Sequence, residues 1–395
     1  MIGRMLTFTL IYLLLFNVIA DFYFYRYFIC RVTTSRWIRR LHWIADLLFA
    51  VTMVVLFTVD SRERMISHEV YQTFMYVYLL VYLPKLVYMV CSLPAFLSRN
   101  RTFKNVFYWF GGIVGLTVFL GLLYGNLIGR NSVRVSEATV YASDLPPAFE
   151  GYRIVQLSDT HVGNMRNPRL LEKVLKKTEA LDPDLIVFSG DLVHSRSNEL
   201  PRYKDVLSRF HARDGIYAVL GNHDYGDYTR WPNREAYRAN RQALENFYRE
   251  IGWHLLNNAS AIIRHGGDSI AVIGVENWGN PPFPQYADLE TALKGTETVD
   301  YKILISHDPD HWSQQVKGKE DIGLTLSGHT HGMQLAVRIG DKRYSPAAWK
   351  YELWGGLYRE GEQYIYVNEG IGTVLFPFRL GATPEITLIT LKRKP

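Results

Sequence analysis

The chain is 395 residues long, which allows two domains, and it carries a formal net charge of +6. Residues 1–129 hold 12 Lys and Arg against 5 Asp and Glu, whereas residues 130–395 hold 32 against 33. A nucleic-acid footprint would place the positive charge on the folded, more polar half, so this distribution argues against nucleic acid as a partner. Basic residues beside apolar segments indicate membrane topology instead.

Four stretches in the first 129 residues are apolar and close to the roughly 20 residues that a membrane-spanning helix needs. They cover residues 5–28, 41–59, 70–93 and 106–129. The first is too long for a cleaved signal peptide and lacks a clear small-residue cleavage site. We therefore predict that residues 1–129 form a four-helix transmembrane anchor whose partner is the lipid bilayer.

Asp46 and Lys85 lie inside these apolar stretches. Charged residues at such positions can form an ion or substrate path through the membrane, they can pair with each other, or the long side chain of Lys85 can extend its ammonium group to the membrane surface. A transporter would need more buried polar groups than these two, so an ion pair or such an extended Lys85 is favoured over a path.

Residues 130–150 are predicted to form a linker and a first strand. From residue 151 to residue 395, strand-like and helix-like segments alternate, which indicates one α/β domain. A hairpin is predicted at residues 265–268, where two apolar runs flank a pair of glycines. Predicted helices cover residues 167–180, 201–212 and 233–251, and predicted strands cover residues 185–189, 216–220, 261–264, 270–275, 302–305, 324–326, 364–368 and 385–391.

Five short polar motifs carry the candidate chemistry, and most of them directly follow an apolar, strand-like run such as RIVQL or LIVFS. Because loops at strand ends of one sheet can converge, we expect these side chains to lie together. Residues 130–395 contain no cysteine, so the donors there are oxygen and imidazole, which suit a pair of borderline divalent metals. The motifs are Asp159-Thr160-His161, Gly190-Asp191, Gly221-Asn222-His223-Asp224, Ser306-His307-Asp308 and Gly328-His329-Thr330-His331.

The spacing of these motifs separates metal ligation from an ordinary turn. Asp159 and His161 are two residues apart, so at a strand end they face one side together, and His329 and His331 repeat that spacing. A single Asp-x-His motif is usually a turn, whereas five motifs in this order favour metal ligation.

In their order, the motifs resemble those of the calcineurin-like metallophosphoesterase superfamily, over residues 150–395. The resemblance is closest to the bacterial membrane-associated or exported phosphodiesterase branch, through residues 326–332 and the tail segment 370–386. Met333 departs from that branch, which often has a second glycine there. The resemblance implies an α/β fold, a four-layer α/β/β/α metallophosphoesterase sandwich preceded by the four-helix transmembrane segment, with residues 151–395 as the catalytic domain.

The resemblance also implies a role for each motif residue. His223 would contact a leaving or non-bridging oxygen and donate a proton, and Asp224 would orient His223. The implied cofactors are two divalent ions, drawn from Mn, Zn, Fe and Mg. The implied ligands are Asp159, His161 and His331 for one ion, Asn222, His307 and His329 for the other, and Asp191 between them with a water or hydroxide.

The implied reaction is hydrolysis of a phosphodiester or pyrophosphate bond. A domain tethered to a bilayer gains from a lipid-linked substrate through effective concentration, so a lipid-linked phosphate is the expected substrate. One alternative is the UDP-diacylglucosamine pyrophosphohydrolase reaction of lipid A synthesis. An alternative of another class is a membrane scaffold or sensor with a non-catalytic metal-binding domain, which the complete ligand set disfavours. The sequence leaves the oligomeric state open.

The charges between the predicted spans give a topology. The loops after the first and third spans hold seven Lys and Arg, and the opposite side holds five. The positive-inside rule then places the seven in the cytoplasm and the catalytic domain outside. We therefore predict an integral protein of the bacterial inner membrane with its catalytic domain on the extracytoplasmic side.

Several residues outside the motifs have two interpretations. Arg379 either contacts a phosphate or is an exposed loop charge. His194 and His311 lie near motifs and could line the site, although histidines outside the motifs are expected mainly at the surface or in packing. The late aromatic residues either form a rim for lipid or a substrate ring, or pack in the core and loops, which is favoured. They are Trp278, Trp312, Tyr344, Trp349, Tyr351, Trp354, Phe376 and Phe378.

Overall fold

The computed structural model describes residues 14–62, 68–340 and 342–394. The start of the first predicted span, residues 5–13, lies outside the described residues. The chain divides into two compact units. One extends through Leu127 and includes Leu375–Phe378, and the other comprises Ile128–Val374 and the residues from Arg379 onward.

The first unit is helical. Helix α1 covers residues 14–32 and contains a π-helical turn at Tyr25–Ile29. Helices α2 (Arg36–Arg62), α3 (His68–Ser92) and α4 (Arg101–Leu127) follow. Among the described residues, two helical segments are long and apolar enough to cross a membrane, Glu69–Leu97 and Arg101–Asn131. They match the third and fourth predicted spans, and the count of four spans stays a prediction.

Small and charged residues hold this helical unit together. A Cβ atom on Gly111 would lie only 2.9 Å from the carbonyl oxygen of Tyr88, so the glycine lets α4 approach α3 closely. The buried Lys85 ammonium lies 2.9 Å from Oδ1 of Asp46 and 2.6 Å from Oδ1 of Asp21. The predicted ion pair between Asp46 and Lys85 is therefore confirmed, and Asp21 extends it.

The second unit is built from two six-stranded mixed sheets and a two-stranded ribbon. Its helices are α5 (Arg169–Ala180), α6 (Lys204–Leu207), α7 (Arg234–Glu250) and α8 (Leu289–Leu293). Its strands are β1 (Arg134–Ala142), β2 (Arg153–Leu157), β3 (Leu185–Phe188), β4 (Ile216–Ala218), β5 (His254–Leu255), β6 (Ala259–His265), β7 (Asp268–Gly274), β8 (Tyr301–Ile305), β9 (Leu324–Ser327), β10 (Val337–Ile339), β11 (Lys342–Tyr344), β12 (Gly356–Glu360), β13 (Gln363–Val367) and β14 (Glu385–Arg393).

Each sheet has a parallel centre. The first sheet has the order β1-β14-β2-β3-β4-β5, with β2 to β5 parallel and β14 antiparallel to β2. The second has the order β12-β13-β9-β8-β7-β6, with β13, β9, β8 and β7 parallel. The predicted hairpin at residues 265–268 is confirmed, since β6 and β7 pair antiparallel around it. Parallel strands put their carboxyl ends, and the loops that follow, at one edge.

The cores explain why the strand sequences are apolar without alternation. In β2, Ile154 contributes to the apolar cluster between the sheets, and Val155 contributes to the cluster under α5 and α7. Val272 and Ile303 of the second sheet belong to the same central cluster as Ile154. Since both faces of these strands are buried, both sets of side chains must be apolar. The predicted mixed α/β architecture is thus confirmed.

Two helix predictions differ in accuracy. The helix predicted at residues 233–251 is α7, and Asn233 caps it by accepting a hydrogen bond from the backbone N–H of Ala236 at 2.8 Å. The helix predicted at residues 201–212 is wrong in length. Residues Pro201–Tyr203 form a 3₁₀ turn with Pro201 at its first position. The α-helix α6 begins only at Lys204 and ends at Leu207.

Candidate metal centre

The five polar motifs follow the carboxyl ends of β2, β3, β4, β8 and β9. Backbone hydrogen bonds join the loops: Asp159 N–H donates to the carbonyl of Gly190 at 2.9 Å, and Gly328 N–H donates to the carbonyl of His307 at 2.9 Å. The backbone N–H of His329 donates to Oδ2 of Asp159 at 3.0 Å, which joins the loops of the two sheets into one connected floor. The structure brings the seven predicted ligands together on this floor, while their role as ligands stays a prediction.

The backbone of this floor is strained. Five non-glycine residues of the motifs have positive φ, between 42° and 73°. This left-handed conformation costs an ordinary residue roughly 1–2 kcal/mol, so it persists only where the surroundings impose it. Strain of this kind clusters at functional sites, and here it turns side chains sharply after a strand end. The residues are Asp159, His161, Asp191, His329 and His331.

Glycines in the motifs leave room for the carboxylates. A Cβ atom on Gly221 would lie 2.2 Å from Oδ1 of Asp191, and one on Gly328 would lie 2.3 Å from Oδ2 of Asp159. Any side chain at these two positions would displace a carboxylate, so the motifs require glycine there.

The donor atoms form two groups. In the first, Nε2 of His331 lies 3.1 Å from Oδ1 of Asp159 and 3.0 Å from Nε2 of His161. In the second, Oδ1 of Asn222 lies 3.1 Å from Nε2 of His307 and 2.9 Å from Nδ1 of His329.

Asp191 lies between the two groups. Its Oδ2 atom is 3.4 Å from Nε2 of His161 and 3.2 Å from Nε2 of His307. A single carboxylate oxygen therefore faces one histidine of each group, which is the position of a bridging ligand.

Without metal, burial and neighbouring charges shift the pKa values of the residues in this cluster. It lowers the pKa of His161 and His331 and, together with the nearby His307, lowers that of His329 to about 3. Burial also acts to lower the pKa of His307, but the Asp191 carboxylate outweighs it and raises that pKa to about 10. For Asp191, burial is outweighed by the positive charge of His307 and His223, so its pKa is lowered.

The residues present fit divalent cations. Buried carboxylates and imidazole nitrogens converge within 4.8 Å of one another, in groups that share Asp159. Nitrogen lone pairs and carboxylate oxygens this close repel unless protons or a cation lie between them. All of these donor atoms are nitrogen or oxygen, and Zn, Mn and Fe ions are commonly bound by such atoms.

His223 is held by its neighbour in the β3 loop. Its Nδ1 lies 2.7 Å from the carbonyl oxygen of His194, and a carbonyl only accepts, so Nδ1 carries a proton. The other nitrogen, Nε2, is then the atom that can exchange a proton with a substrate. The backbone N–H of His223 donates to Oδ1 of Asp191 at 2.8 Å, which connects His223 to the candidate bridging carboxylate.

Asp224 does not orient the ring of His223, and that prediction is wrong. Its buried carboxylate accepts three backbone N–H groups, from Asp191 at 2.8 Å, Gly221 at 2.9 Å and Val193 at 3.0 Å. The carbonyl of His194 holds the ring instead. Burial and the charge of Asp191 raise the pKa of Asp224, which the backbone donors oppose. Asp224 therefore positions the two loops that carry the candidate site.

The exposed loop charge predicted for Arg379 is wrong, because its side chain is fully buried, and its contact with a phosphate stays a prediction. It donates to the carbonyls of Gly372 at 2.7 Å, Ala382 at 2.8 Å and Glu369 at 2.9 Å. It also contacts Nδ1 of His331 at 3.0 Å. Arg379 thus helps to hold His331 of the first donor group in position. In the sequence, only its place in the tail segment 370–386 pointed to such a role.

Of the two extra histidines, one lies at the site. The amide nitrogen of Asn164 donates to the carbonyl of Thr373 at 2.6 Å and to Nδ1 of His194 at 3.0 Å. The contact with a carbonyl fixes the amide orientation, so Nδ1 of His194 accepts and Nε2 carries its proton. Nitrogens of His194, His161 and His223 lie within 4.8 Å of one another. His311, by contrast, packs against Trp278 behind the site.

The late aromatic residues divide between the two interpretations. Trp312, Tyr351, Trp354 and Phe378 are buried, whereas Tyr344 and Trp349 are exposed. Packing was the favoured interpretation for Tyr351, yet its hydroxyl also lies 3.2 Å from Nε2 of His329.

Known families match both halves of the chain. Residues 152–333 match the calcineurin-like phosphoesterase family, and residues 4–130 match the family described as probable calcineurin-like phosphoesterase, transmembrane domain. The metallophosphoesterase YkuE of Bacillus subtilis is 30% identical over 75% of this chain and 98% of its own length.

Two further relatives are membrane-associated or act on a named substrate. The transmembrane protein with metallophosphoesterase domain of Danio rerio is 30% identical over 69% of this chain, which spans 60% of that protein's length. The UDP-2,3-diacylglucosamine pyrophosphatase LpxG of Chlamydia trachomatis is 28% identical over 69% of this chain and 93% of its own length.

Proposed function

Because this chain belongs to the calcineurin-like metallophosphoesterase family and carries a transmembrane phosphoesterase domain, we propose that it hydrolyses a phosphodiester or pyrophosphate bond in a lipid-linked substrate, using two divalent ions. Hydrolase activity and membrane association follow from the family. The observation that carries the two-ion proposal is the position of Asp191 Oδ2, at 3.4 Å from His161 and 3.2 Å from His307.

The ligand roles follow the two donor groups. When bound, two divalent ions would neutralise phosphate charge and supply a nucleophile near neutral pH. Asp191 would serve both ions. The other holders would be Asp159, His161 and His331 for one ion and Asn222, His307 and His329 for the other.

Two histidines act on the substrate in this proposal. In its doubly protonated form, His223 keeps the Nδ1 proton on the carbonyl of His194 and delivers the Nε2 proton to the leaving oxygen, which returns the ring to its neutral form. His194 presents its Nε2–H beside it and can donate to a phosphate oxygen. Asp224 acts on neither ring, since its oxygens accept the backbone donors of both loops.

A lipid-linked substrate is supported by location. The transmembrane domain keeps the candidate site near a bilayer, which raises the effective concentration of any lipid substrate. The similarity to a UDP-2,3-diacylglucosamine pyrophosphatase supports the alternative that this chain cleaves a nucleotide-linked lipid pyrophosphate.

The side of the membrane separates these two substrates. The excess of seven basic residues over five supports a catalytic domain outside the cytoplasm of a bacterial inner membrane, where an envelope phospholipid or glycolipid would be the substrate. Protease added to spheroplasts should digest the catalytic domain. Full protection would place it in the cytoplasm and favour the nucleotide lipid.

The activity itself is tested with the full chain in detergent. Turnover of bis-p-nitrophenyl phosphate is measured after chelation and after return of Mn²⁺, Zn²⁺ or Mg²⁺, followed by a panel of lipids and nucleotide lipids. Metal-dependent turnover is expected. Metal binding without turnover of any of these substrates would favour a membrane scaffold or sensor.

A further inference from the structure

Exposed apolar side chains concentrate just after the last polar motif. Between Arg134 and Val374, nine large hydrophobic side chains are exposed among the described residues, and five of them fall within positions 333–349. Exposed apolar patches of this kind mark interaction sites. The five are Met333 (40% exposed), Val337 (52%), Ile339 (66%), Tyr344 (53%) and Trp349 (90%). We name residues 333–350 the apolar ribbon segment.

Most of these side chains share one face. Strands β10 and β11 pair only with each other among the described strands, and Val337 lies opposite Tyr344. Side chains two residues apart in a strand point the same way, so Val337, Ile339 and Tyr344 lie on one side of the ribbon. An isolated two-stranded ribbon is only marginally stable, and exposing its apolar side chains to water adds no stability. The exposed face is therefore a surface that a partner could cover.

The ribbon is fixed to the candidate site. The hydroxyl of Ser345 donates to the carbonyl of Gly332, the residue after His331, at 2.7 Å. Arg343 forms an ion pair with the buried Glu369, whose carbonyl accepts from Arg379. The apolar face is thus held beside the loop that carries the last two predicted ligands.

The charge of the segment indicates which partner fits. It contains four basic residues, of which Arg338, Lys342 and Lys350 are exposed, and one acidic residue, Asp341. Apolar side chains with Trp and Tyr beside basic residues are typical of surfaces that sit at the headgroup boundary of an anionic membrane.

We propose that the apolar ribbon segment docks on the surface of an anionic bilayer and places the candidate site at the lipid headgroups. The transmembrane domain of the same chain keeps that bilayer within reach, so weak docking contacts suffice. Docking does not require the substrate to be a lipid, and it can fail or hold independently of the proposed reaction.

The test uses the full chain in lipid nanodiscs, with Cys30 and Cys91 replaced by serine. An environment-sensitive dye is attached at Ile339→Cys, and a matched control carries it at Tyr141→Cys, on the exposed side of β1. We expect a blue shift and quenching by doxyl-labelled lipid at position 339 and neither at position 141. Equal, water-like emission at both positions would overturn the proposal.

A charge-reversal variant gives a second test of membrane docking. Lys342→Glu, on the same face of the ribbon as Ile339, should reduce quenching at position 339 in discs containing phosphatidylglycerol, while turnover of a soluble diester in detergent stays unchanged. A blue shift at position 339 without lipid quenching, seen only when two copies share a disc, would assign the face to a second copy and overturn membrane docking.

Discussion

The buried guanidinium of Arg379 donates a hydrogen bond to Nδ1 of His331 at 3.0 Å. Since a guanidinium cannot accept, the proton of the neutral His331 ring lies on Nε2, which faces Oδ1 of Asp159 at 3.1 Å. A metal ion at Nε2 would compete with that proton, so Arg379 links the tail of the chain to metal binding at this residue.

Replacing Arg379 by Met should destabilise the protein. The change leaves the carbonyls of Gly372, Ala382 and Glu369 buried without their donor, and each such loss costs about 1–3 kcal/mol. We expect a lower thermal midpoint of the full chain in detergent. Arg359→Met, at an exposed ion pair with Glu362, is the matched control and should change little. Equal midpoints for the two variants would show that these buried hydrogen bonds contribute nothing.

His223→Ala should lower kcat by about 10²–10⁴, the usual contribution of a positioned acid or base, with metal content unchanged. The loss should be smaller for a nitrophenolate leaving group than for an alkoxide, because the better leaving group needs less protonation. Steady-state kinetics with both substrates and metal analysis of the purified variant measure this. The same loss for both leaving groups would assign His223 to positioning rather than proton donation.

His311 should make stability depend on pH. Its ring is buried against Trp278, Nδ1 contacts the hydroxyl of Ser306 at 2.9 Å, and burial lowers its pKa to about 4. In the unfolded chain its pKa is about 6.5, so below that pH the unfolded state binds a proton that the folded state resists. The contribution is complete above pH 6.5 and falls as pH drops toward 4, by up to about 3 kcal/mol.

The test compares thermal midpoints of metal-free wild type, His311→Asn and His211→Asn between pH 7 and pH 4. His211 is exposed and serves as the control. The His311 variant should start lower and lose less stability on acidification than the other two. Parallel curves for all three proteins would rule out this role for His311.

The sequence predicted where the candidate site lies better than it predicted the hydrogen bonds that hold the site residues in place. Strands such as β2 and β3 are buried on both faces, so their apolar runs are continuous and the polar residues after them stand out. The partners of Asp224 and Arg379 could not be read in this way. Their acceptors and donors are backbone groups brought close by the fold, such as the carbonyl of Ala382 or the N–H of Val193, and no pattern of residue types encodes them.

For Tyr344 and Trp349, the sequence left two interpretations open, a rim for lipid and packing in the core and loops. The favoured packing is wrong for both, because the structure leaves them 53% and 90% exposed. Burial depends on which elements cover a segment, and local sequence does not determine that coverage.

The most direct test of the two-metal account is Asp191→Asn, with metal content and turnover measured on the same preparation. Asp191 lies between the two donor groups, so losing its charge should remove at least one ion per chain and nearly abolish turnover of bis-p-nitrophenyl phosphate. The thermal midpoint should show that the variant is still folded. A folded variant that keeps its full metal content and full activity would contradict the account.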